Sequence, residues 1–175
     1  MPSNVPPITD LLDAAQATAV HLEMRDVYAV SKENPHVALW RETGERPNDP
    51  DSEYWKPWSE IMRRTTARGV QVRRARIVSL PASQYIRYEH AGTPVNLAVG
   101  EDVRWLARDT ADGIALPAND FWLFDGQLVR YGYFDGDGEL VGHSLSEEHE
   151  EAELCAHAFE KVWERASPHN EFAIS

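Results

Sequence analysis

The stretch from Asn119 to Leu145 restricts the possible folds of this chain more than any other segment. It contains three short apolar segments separated by two turn sequences, Asp125-Gly126 and Asp135-Gly136-Asp137-Gly138. Aspartate followed by glycine favours the tight turns that connect antiparallel strands, because glycine adopts positive φ angles freely. The stretch therefore predicts a three-stranded meander at the centre of an antiparallel sheet.

The length of the chain, 175 residues, suits one well-buried domain and is short for two. A hydrophobic fraction of 42% is ordinary for a globular protein. Prolines near the start predict a frayed N-terminal tail, and the segment from Pro168 onward is expected to be loose. We therefore predict a single domain over residues 1–175, with an ordered core over residues 8–166.

The first third of the chain alternates helix and strand signals and then becomes a loop. Thr9 is suited to cap a helix whose apolar positions run to Leu22. Residues 27–30 favour a short strand, and residues 36–40 suit either a strand or one helical turn. Residues 42–57 contain three prolines and no apolar period, which predicts a long surface loop. Such loops are often functional, although a variable insertion explains one equally well.

The middle of the chain predicts a helix, a strand and a second helix. Pro57 suits the first turn of a helix that ends near Gly69. Residues 70–80 then favour a strand, but three arginines break its apolar alternation and predict a bulge or an edge position. The second helix should end near Gly92, because Pro94 cannot continue it.

The last helix is the clearest element of the C-terminal part. Ser146 suits its start, and an apolar stripe follows at helical spacing. We expect Phe159 and Trp163 to face the sheet. Trp122 and Phe124 of the meander should belong to the same core. The order of elements predicts an α+β or mixed α/β fold, in which helices pack on a single sheet and the C-terminal helix docks on it.

Charge and composition exclude several classes of function. A net charge of −12 opposes direct binding to nucleic acids, which are also negative. The chain has no apolar run long enough to span a membrane and no secretory signal, so a cytoplasmic protein is expected. Cys155 is alone and predicts a buried structural thiol. The acidic turn at residues 135–139 lacks the remaining ligands of a calcium loop, and no metal or cofactor is expected.

Two arginines are candidates for binding an acidic ligand. Arg74 and Arg76 should lie on the same face of a strand, about 7 Å apart, whereas Arg73 should point to the opposite face. Guanidinium groups hold phosphate or carboxylate through paired hydrogen bonds. Ion pairing with the acidic residues of the chain is the alternative, and it is favoured.

The segment after the strand adds aromatic and acidic candidates. Tyr85 and Glu89 are four residues apart, so they should share one side of a helix, and Tyr88 lies beside them. His90 follows Glu89, and a histidine next to a carboxylate can transfer protons at neutral pH. Because neighbouring helical residues point in different directions, a structural role is favoured here.

Two family resemblances rest on the meander and the elements around it. From Ile8 to Ala166, with DFWLFD at residues 120–125, the chain resembles an uncharacterised actinobacterial domain-of-unknown-function family that is often encoded beside helix-turn-helix regulators. From Trp58 to Ala166 the chain is similar, with less specificity, to one phospholipase D-like repeat. Active members of that second family carry a nucleophilic histidine, a lysine two residues later and an aspartate five residues after the lysine.

The second resemblance implies a degenerate repeat. If Asp125 is matched to the family aspartate, the histidine position falls on Ala118 and the lysine position on Asp120. Both reactive groups are absent, and packing cannot replace a nucleophile. The resemblance therefore implies the scaffold without its chemistry, and leaves Asp120 and Asp125 as candidates for ligand contact only.

The sequence predicts a non-catalytic cytoplasmic accessory or regulatory protein. Its partner is expected to be another protein, such as a helix-turn-helix regulator, or a small acidic ligand. The alternative is a small enzyme of specialised metabolism that uses an anion-binding pocket near the strand of Arg73 and the segment of Tyr85. No catalytic residue is assigned. The candidate ligand-binding residues are Arg74, Arg76, Tyr85, Tyr88, Glu89, Asp120 and Asp125.

Overall fold

The computed structural model describes residues 4–29 and 35–175. The strands are β1 (Thr18–Glu23), β2 (Gln71–Val78), β3 (Glu101–Ala107), β4 (Asp120–Phe124), β5 (Leu128–Phe134), β6 (Leu140–Ser146) and β7 (Ser167–Pro168). The α-helices are α1 (Ile8–Ala14), α2 (Pro35–Thr43), α3 (Lys56–Ala67), α4 (Gln84–Ala98) and α5 (His149–Arg165). Short 3-10 turns follow β3 and β7. The fold is mixed α/β with one sheet, as the order of elements predicts.

The seven strands form a single mixed sheet in the order β6-β5-β4-β1-β2-β3-β7. Strands β1, β2 and β3 are parallel, and β4 runs antiparallel to β1. The predicted meander is confirmed as β4, β5 and β6. Asp125 and Gly126 have φ angles of 52° and 67°, the positive values that a tight two-residue hairpin turn requires. The meander forms one side of the sheet, however, and its expected central position was wrong because β1 occupies the centre.

Strand β1 replaces the second half of the predicted N-terminal helix. Helix α1 begins at Ile8, after Pro7 instead of the predicted cap Thr9, and ends at Ala14. The prediction was wrong because apolar residues happen to recur at helical spacing, while pairing with β2 and β4 on both sides favours a strand. Residues 27–29 do not form the predicted strand, and Val30 lies outside the described residues.

Strand β2 lies inside the sheet, and the predicted bulge or edge position was wrong. It pairs with β1 from Gln71 to Arg76 and with β3 from Val72 to Val78, without a shift in register. Its arginines are tolerated there because acidic side chains from other elements compensate each of them.

The ends of three helices can be compared with the sequence predictions. The ends of α3 agree with them, whereas the end of α4 and the start of α5 do not. Helix α3 contains Pro57 in its first turn, and Gly69 follows with a φ of 87°, as predicted. Helix α4 continues through Pro94 to Ala98, so the predicted end near Gly92 was wrong. Continuation keeps residues before and after the proline buried on the sheet, which outweighs one lost backbone hydrogen bond. Ser146 ends β6 instead of capping α5.

The two faces of the sheet carry separate cores. We call them the α5 face and the α4 face, after the helices that cover them. On the α5 face, Phe121 and Leu123 pack with Phe159 and Trp163. Trp122 and Phe124 instead pack on the α4 face, in a core with residues of α1 and α3. The predicted single core was wrong because successive residues of a strand point to opposite faces.

The C-terminal segment packs against the sheet, unlike the predicted loose tail. Ser167 and Pro168 pair with β3, and the ring of Phe172 stacks on Trp105 with 5.8 Å between centroids. Cys155 is buried, as predicted for a structural thiol. Among the helices of the described residues, none is both long and apolar enough to cross a bilayer.

The α5 face supplies a test of how strongly the last helix is docked. Trp163→Ala should lower the free energy of unfolding by about 3 to 5 kcal/mol, because it leaves a cavity against the sheet. Leu154→Ala is the control, since Leu154 lies on the same helix and is 43% exposed. Urea denaturation measures both, and a change below about 1 kcal/mol for Trp163→Ala would contradict the docking.

Candidate functional site

Polar side chains cross the α4 face in two rows that follow the register of the strands. In the first row, His21 of β1 pairs with Arg74 of β2 on one side and with Trp122 of β4 on the other. Trp122 pairs in turn with Arg130 of β5. Paired residues point to the same face, so these four side chains lie side by side across the sheet.

His21 is held neutral at the centre of the first row. Its ring stacks on Trp122, with 4.3 Å between centroids and 13° between ring planes. The pKa of His21 is lowered to about 3, mainly by burial; nearby guanidinium groups also lower it, and Glu23 acts in the opposite direction. A neutral imidazole can accept or donate a hydrogen bond without adding charge to the site.

In the second row, all three side-chain nitrogens of Arg76 donate hydrogen bonds to other side chains. Its Nε donates to Glu23 at 2.6 Å, and its two terminal nitrogens donate to Glu89 and to Thr93 at 3.0 Å each. Glu89 and Thr93 belong to α4, whereas Glu23 belongs to β1. Arg76 therefore ties the helix to the sheet.

Arg74 is engaged by a buried glutamate at the start of β3. Its Nε donates to Glu101 at 2.8 Å, and Glu23 lies 3.6 Å from its Nη1. The Glu101 side chain is 0% exposed and also accepts from Trp58 at 3.0 Å and from Asn96 at 2.6 Å. Each donor satisfies part of the carboxylate, which makes its burial tolerable.

The loop from Gly44 to Trp55 contributes a third buried arginine. The side chain of Arg46 is 4% exposed, donates to the carbonyl of Tyr88 at 2.7 Å and lies 3.6 Å from Glu89. Its guanidinium lies 3.7 Å from the ring centroid of Tyr88. A Cβ atom at Gly92 would clash with this guanidinium, so the glycine makes room for the arginine. These contacts hold the long loop against the α4 face.

Arg130 differs from the other arginines of this face. Among the described residues, no carboxylate lies within ion-pair distance of it and no hydrogen bond from its side chain is formed. Burial lowers the pKa of Arg130, as expected for a partly buried cation without a compensating anion. The ion-pair network contains three arginines and three glutamates, so Arg130 adds the uncompensated positive charge.

Two neighbouring cavities, which share three lining residues, lie above these rows. The larger has a volume of about 350 Å³ and the smaller about 250 Å³. Both are bounded by His21, Trp122 and Arg130. The larger cavity is also bounded by Arg74, Arg76, Arg46, Glu89, Asn96, Ile8, Tyr54, Trp55 and Trp58. Arg130 therefore faces both spaces.

The smaller cavity contains two titratable groups on either side of a glycine. Gly132 of β5 pairs with Asp120 on one side and with His143 on the other. Tyr28 donates a short hydrogen bond to Asp120, and burial raises the pKa of Asp120 to about 6. Nδ1 of His143 lies 3.2 Å from the carbonyl of Tyr131, and burial lowers the pKa of His143. Gly132 has no side chain, and the ring of Phe134 lies over it, 3.3 Å from where a Cβ atom would be.

The structure brings together most of the candidate residues that the sequence suggests. Arg74, Arg76, Tyr85, Glu89 and Asp120 all border this pair of cavities or the small cleft between β1 and α4. Tyr88 lies behind them, against Arg46.

Asp125 and Arg73 lie elsewhere. The carboxylate of Asp125 accepts the backbone N–H groups of residues 16–18 at 2.7 to 3.2 Å and fastens the β4–β5 turn to β1. Arg73 points to the α5 face, as the alternation of the strand predicts, and pairs with Glu160 at 2.6 Å. The glutamate-rich helix thus covers Arg73 and leaves Arg74 and Arg76 to the other face.

Sequence reasoning missed five residues of the site: His21, Arg46, Trp58, Trp122 and Arg130. His21 was placed in a helix, and Trp122 was assigned to the opposite core. Arg130 carried a usable signal, because it is the one charged residue within the apolar strand β5. Within residues 4–29 and 35–175, no three His, Cys, Asp or Glu side chains form a group suited to hold a metal ion.

The fold and the site together describe a mixed α/β protein with a polar, arginine-rich pocket on one face of its sheet. The chain belongs to the family described as a domain of unknown function, DUF6879, whose model matches residues 7–174. This confirms the expected membership of an uncharacterised family. No curated protein matches the chain. Among solved structures, the chain is similar to NucT from Helicobacter pylori, with 10% identity, a TM-score of 0.47, and coverage of 92% of this chain and 87% of that chain.

The ion-pair network predicts a large effect for one buried carboxylate. Glu101→Gln should lower the free energy of unfolding by about 3 kcal/mol, because it leaves the charge of Arg74 buried with a weaker partner. Asp51→Asn is the control, since it breaks the exposed pair with Arg63 and should cost less than about 1 kcal/mol. Chemical denaturation at pH 7 measures both. Equal small losses would mean that the network does not stabilise the fold.

The low pKa of His21 predicts an acid-sensitive stability. Below pH 6.5 the unfolded chain protonates this histidine, whereas the folded chain keeps it neutral down to about pH 3. The unfolded state therefore binds more protons in this window, and the free energy of unfolding falls as the pH falls. His21→Gln should make that fall shallower, and His149→Gln, at an 85% exposed side chain, should not. Identical slopes in denaturation curves between pH 6.5 and 4 would contradict a buried neutral His21.

Proposed function

We propose that this chain is a non-catalytic cytoplasmic accessory protein that binds a small acidic ligand in the larger cavity of the α4 face. Arg130 carries the proposal, because it borders both cavities and has neither an acidic partner nor a side-chain hydrogen bond among the described residues. A partly desolvated guanidinium gains more from an incoming anion than an exposed one, since less water must be displaced and the local dielectric constant is lower. A cavity of about 350 Å³ is in the size range of small-molecule sites.

The engaged arginines support the site indirectly. Arg74 and Arg76 are satisfied by glutamates, so the pair that the sequence suggests as an anion clamp serves to hold the walls in place. Contact with the ligand then passes to Arg130, and His21, on the other side of Trp122 in the same cavity lining, is available as a neutral hydrogen-bonding group. The net charge of −12 does not prevent binding, because distant charges are screened within about 10 Å at ordinary salt.

A regulatory setting with a helix-turn-helix protein as the partner stays a prediction. A ligand-binding accessory protein suits such a setting, because occupancy of the cavity would stabilise the loop that Arg46 fastens over it.

A small enzyme on the same face is the second candidate, favoured by Asp120 and His143. A carboxyl group with a pKa of about 6 is suited to give up and take back a proton near neutral pH. Tyr85 borders the same cavity, as the enzyme alternative requires. Chemical change of a bound probe, lost in Asp120→Asn and kept in Arg87→Gln, would replace the binding proposal with this one.

The binding proposal predicts that a single charge removal weakens anion affinity without harming the fold. Inorganic phosphate and acetate are titrated into the chain by calorimetry, and Arg130→Gln should weaken the better of the two at least tenfold, about 1.4 kcal/mol. Because no carboxylate of the described residues pairs with Arg130, the variant should unfold at the same temperature or higher.

Arg87→Gln is the matched control, since Arg87 is exposed on α4 and away from the cavity. It should keep both affinity and stability. Raising the salt concentration should weaken binding to the unsubstituted chain more than to Arg130→Gln. If Arg130→Gln and Arg87→Gln bound the anion with equal affinity, the proposal would be contradicted.

A further inference from the structure

The lining of the larger cavity combines two chemically different groups of side chains. Arg130 and His21 of the first row present nitrogen atoms that do not contact carboxylates of the described residues. The aromatic wall comes from the loop before α3 and from α3 itself, and consists of Tyr54, Trp55 and Trp58. A ligand that fills the cavity must therefore suit both the cationic group and the aromatic rings.

The polar edges of the two tryptophans are already used inside the protein. The indole N–H of Trp55 donates to the carbonyl of Pro47 at 3.0 Å, and that of Trp58 donates to Glu101 at 3.0 Å. Their hydrogen-bonding atoms are fixed in these contacts, so what remains for the cavity is ring surface. Such surface favours a flat aromatic partner, because ring pairs gain interaction energy beyond the apolar area that they bury.

Cations lie beside the aromatic wall. The guanidinium of Arg46 lies 4.9 Å from the ring centroid of Trp55, and that of Arg74 lies 5.7 Å from Trp58. An aromatic ring that lies against this wall gains contact with its rings and lies close to these cations. An aliphatic group of the same size would shield the cations from water without giving any interaction in return.

We infer that the ligand class is a flat aromatic ring that carries one anionic group, either phosphate or carboxylate. The inference rests on the proposed function, because it assigns the anionic group to Arg130. It adds that the ring lies against Tyr54 and Trp58, and that ring stacking distinguishes this ligand from other small acids.

Two pairs of matched probes test the inference. Phenyl phosphate is compared with cyclohexyl phosphate, and benzoate with cyclohexanecarboxylate, by calorimetry on the full chain. Within each pair the charge and size are similar and only the aromatic character differs. The aromatic member should bind about three- to tenfold more tightly. The pair with the higher affinity identifies the anionic group as phosphate or carboxylate.

Three variants locate the ring. Tyr54→Leu and Trp58→Leu should each reduce the preference for the aromatic member, and Tyr54→Leu is the safer change because Tyr54 is 39% exposed. Tyr133→Leu, on the α5 face, is the control and should keep the preference. Persistence of the preference in both Tyr54→Leu and Trp58→Leu would overturn the placement of the ring.

The failures of the two proposals are distinguishable. Equal binding within each pair, lost in Arg130→Gln, would overturn the aromatic inference and leave the anion site standing. Binding of none of the four probes, or binding that Arg130→Gln does not change, would overturn both.

Discussion

The α4 face depends on the burial of two arginines on β2, the strand next to the central strand of the sheet. Arg74 and Arg76 lie on β2, where both neighbouring strands and a covering helix remove water. Such charges are tolerable only when carboxylates meet them with good geometry. Glu23 comes from β1, Glu89 from α4 and Glu101 from β3, so the pairing joins β2 to three other elements.

Because of this requirement, the two faces of the sheet differ in their chemistry. The α5 face is apolar, with Phe159 and Trp163 against the strands, and resembles an ordinary core. The α4 face combines an apolar patch under α1 and α3 with the ion-pair network and its cavities. The second face retains a polar pocket, in which Arg130 has no acidic partner among the described residues.

The long loop belongs to this arrangement. Arg46 reaches from the loop to the carbonyl of Tyr88 and to Glu89, so the loop is held by the same helix that holds Arg76. Gly92 allows that approach. Of the two explanations for the loop that the sequence leaves open, its contacts with the cavity favour a functional role over a variable insertion. Trp55, at its end, forms part of the cavity wall.

Local chemistry determined the meander, its Asp125-Gly126 turn, helix α3 and the apolar stripe of α5, because turn residues, caps and helical periodicity act over a few positions. The opposite faces of Arg73 and Arg74 follow from strand geometry alone. Only the tertiary structure decided that residues 18–23 form the central strand, since that depends on pairing with β2 and β4. It also decided which arginines find carboxylates, because partners such as Arg74 and Glu101 are far apart in the chain. Arg130 became a candidate binding residue only in the tertiary structure, where none of the described carboxylates pairs with it.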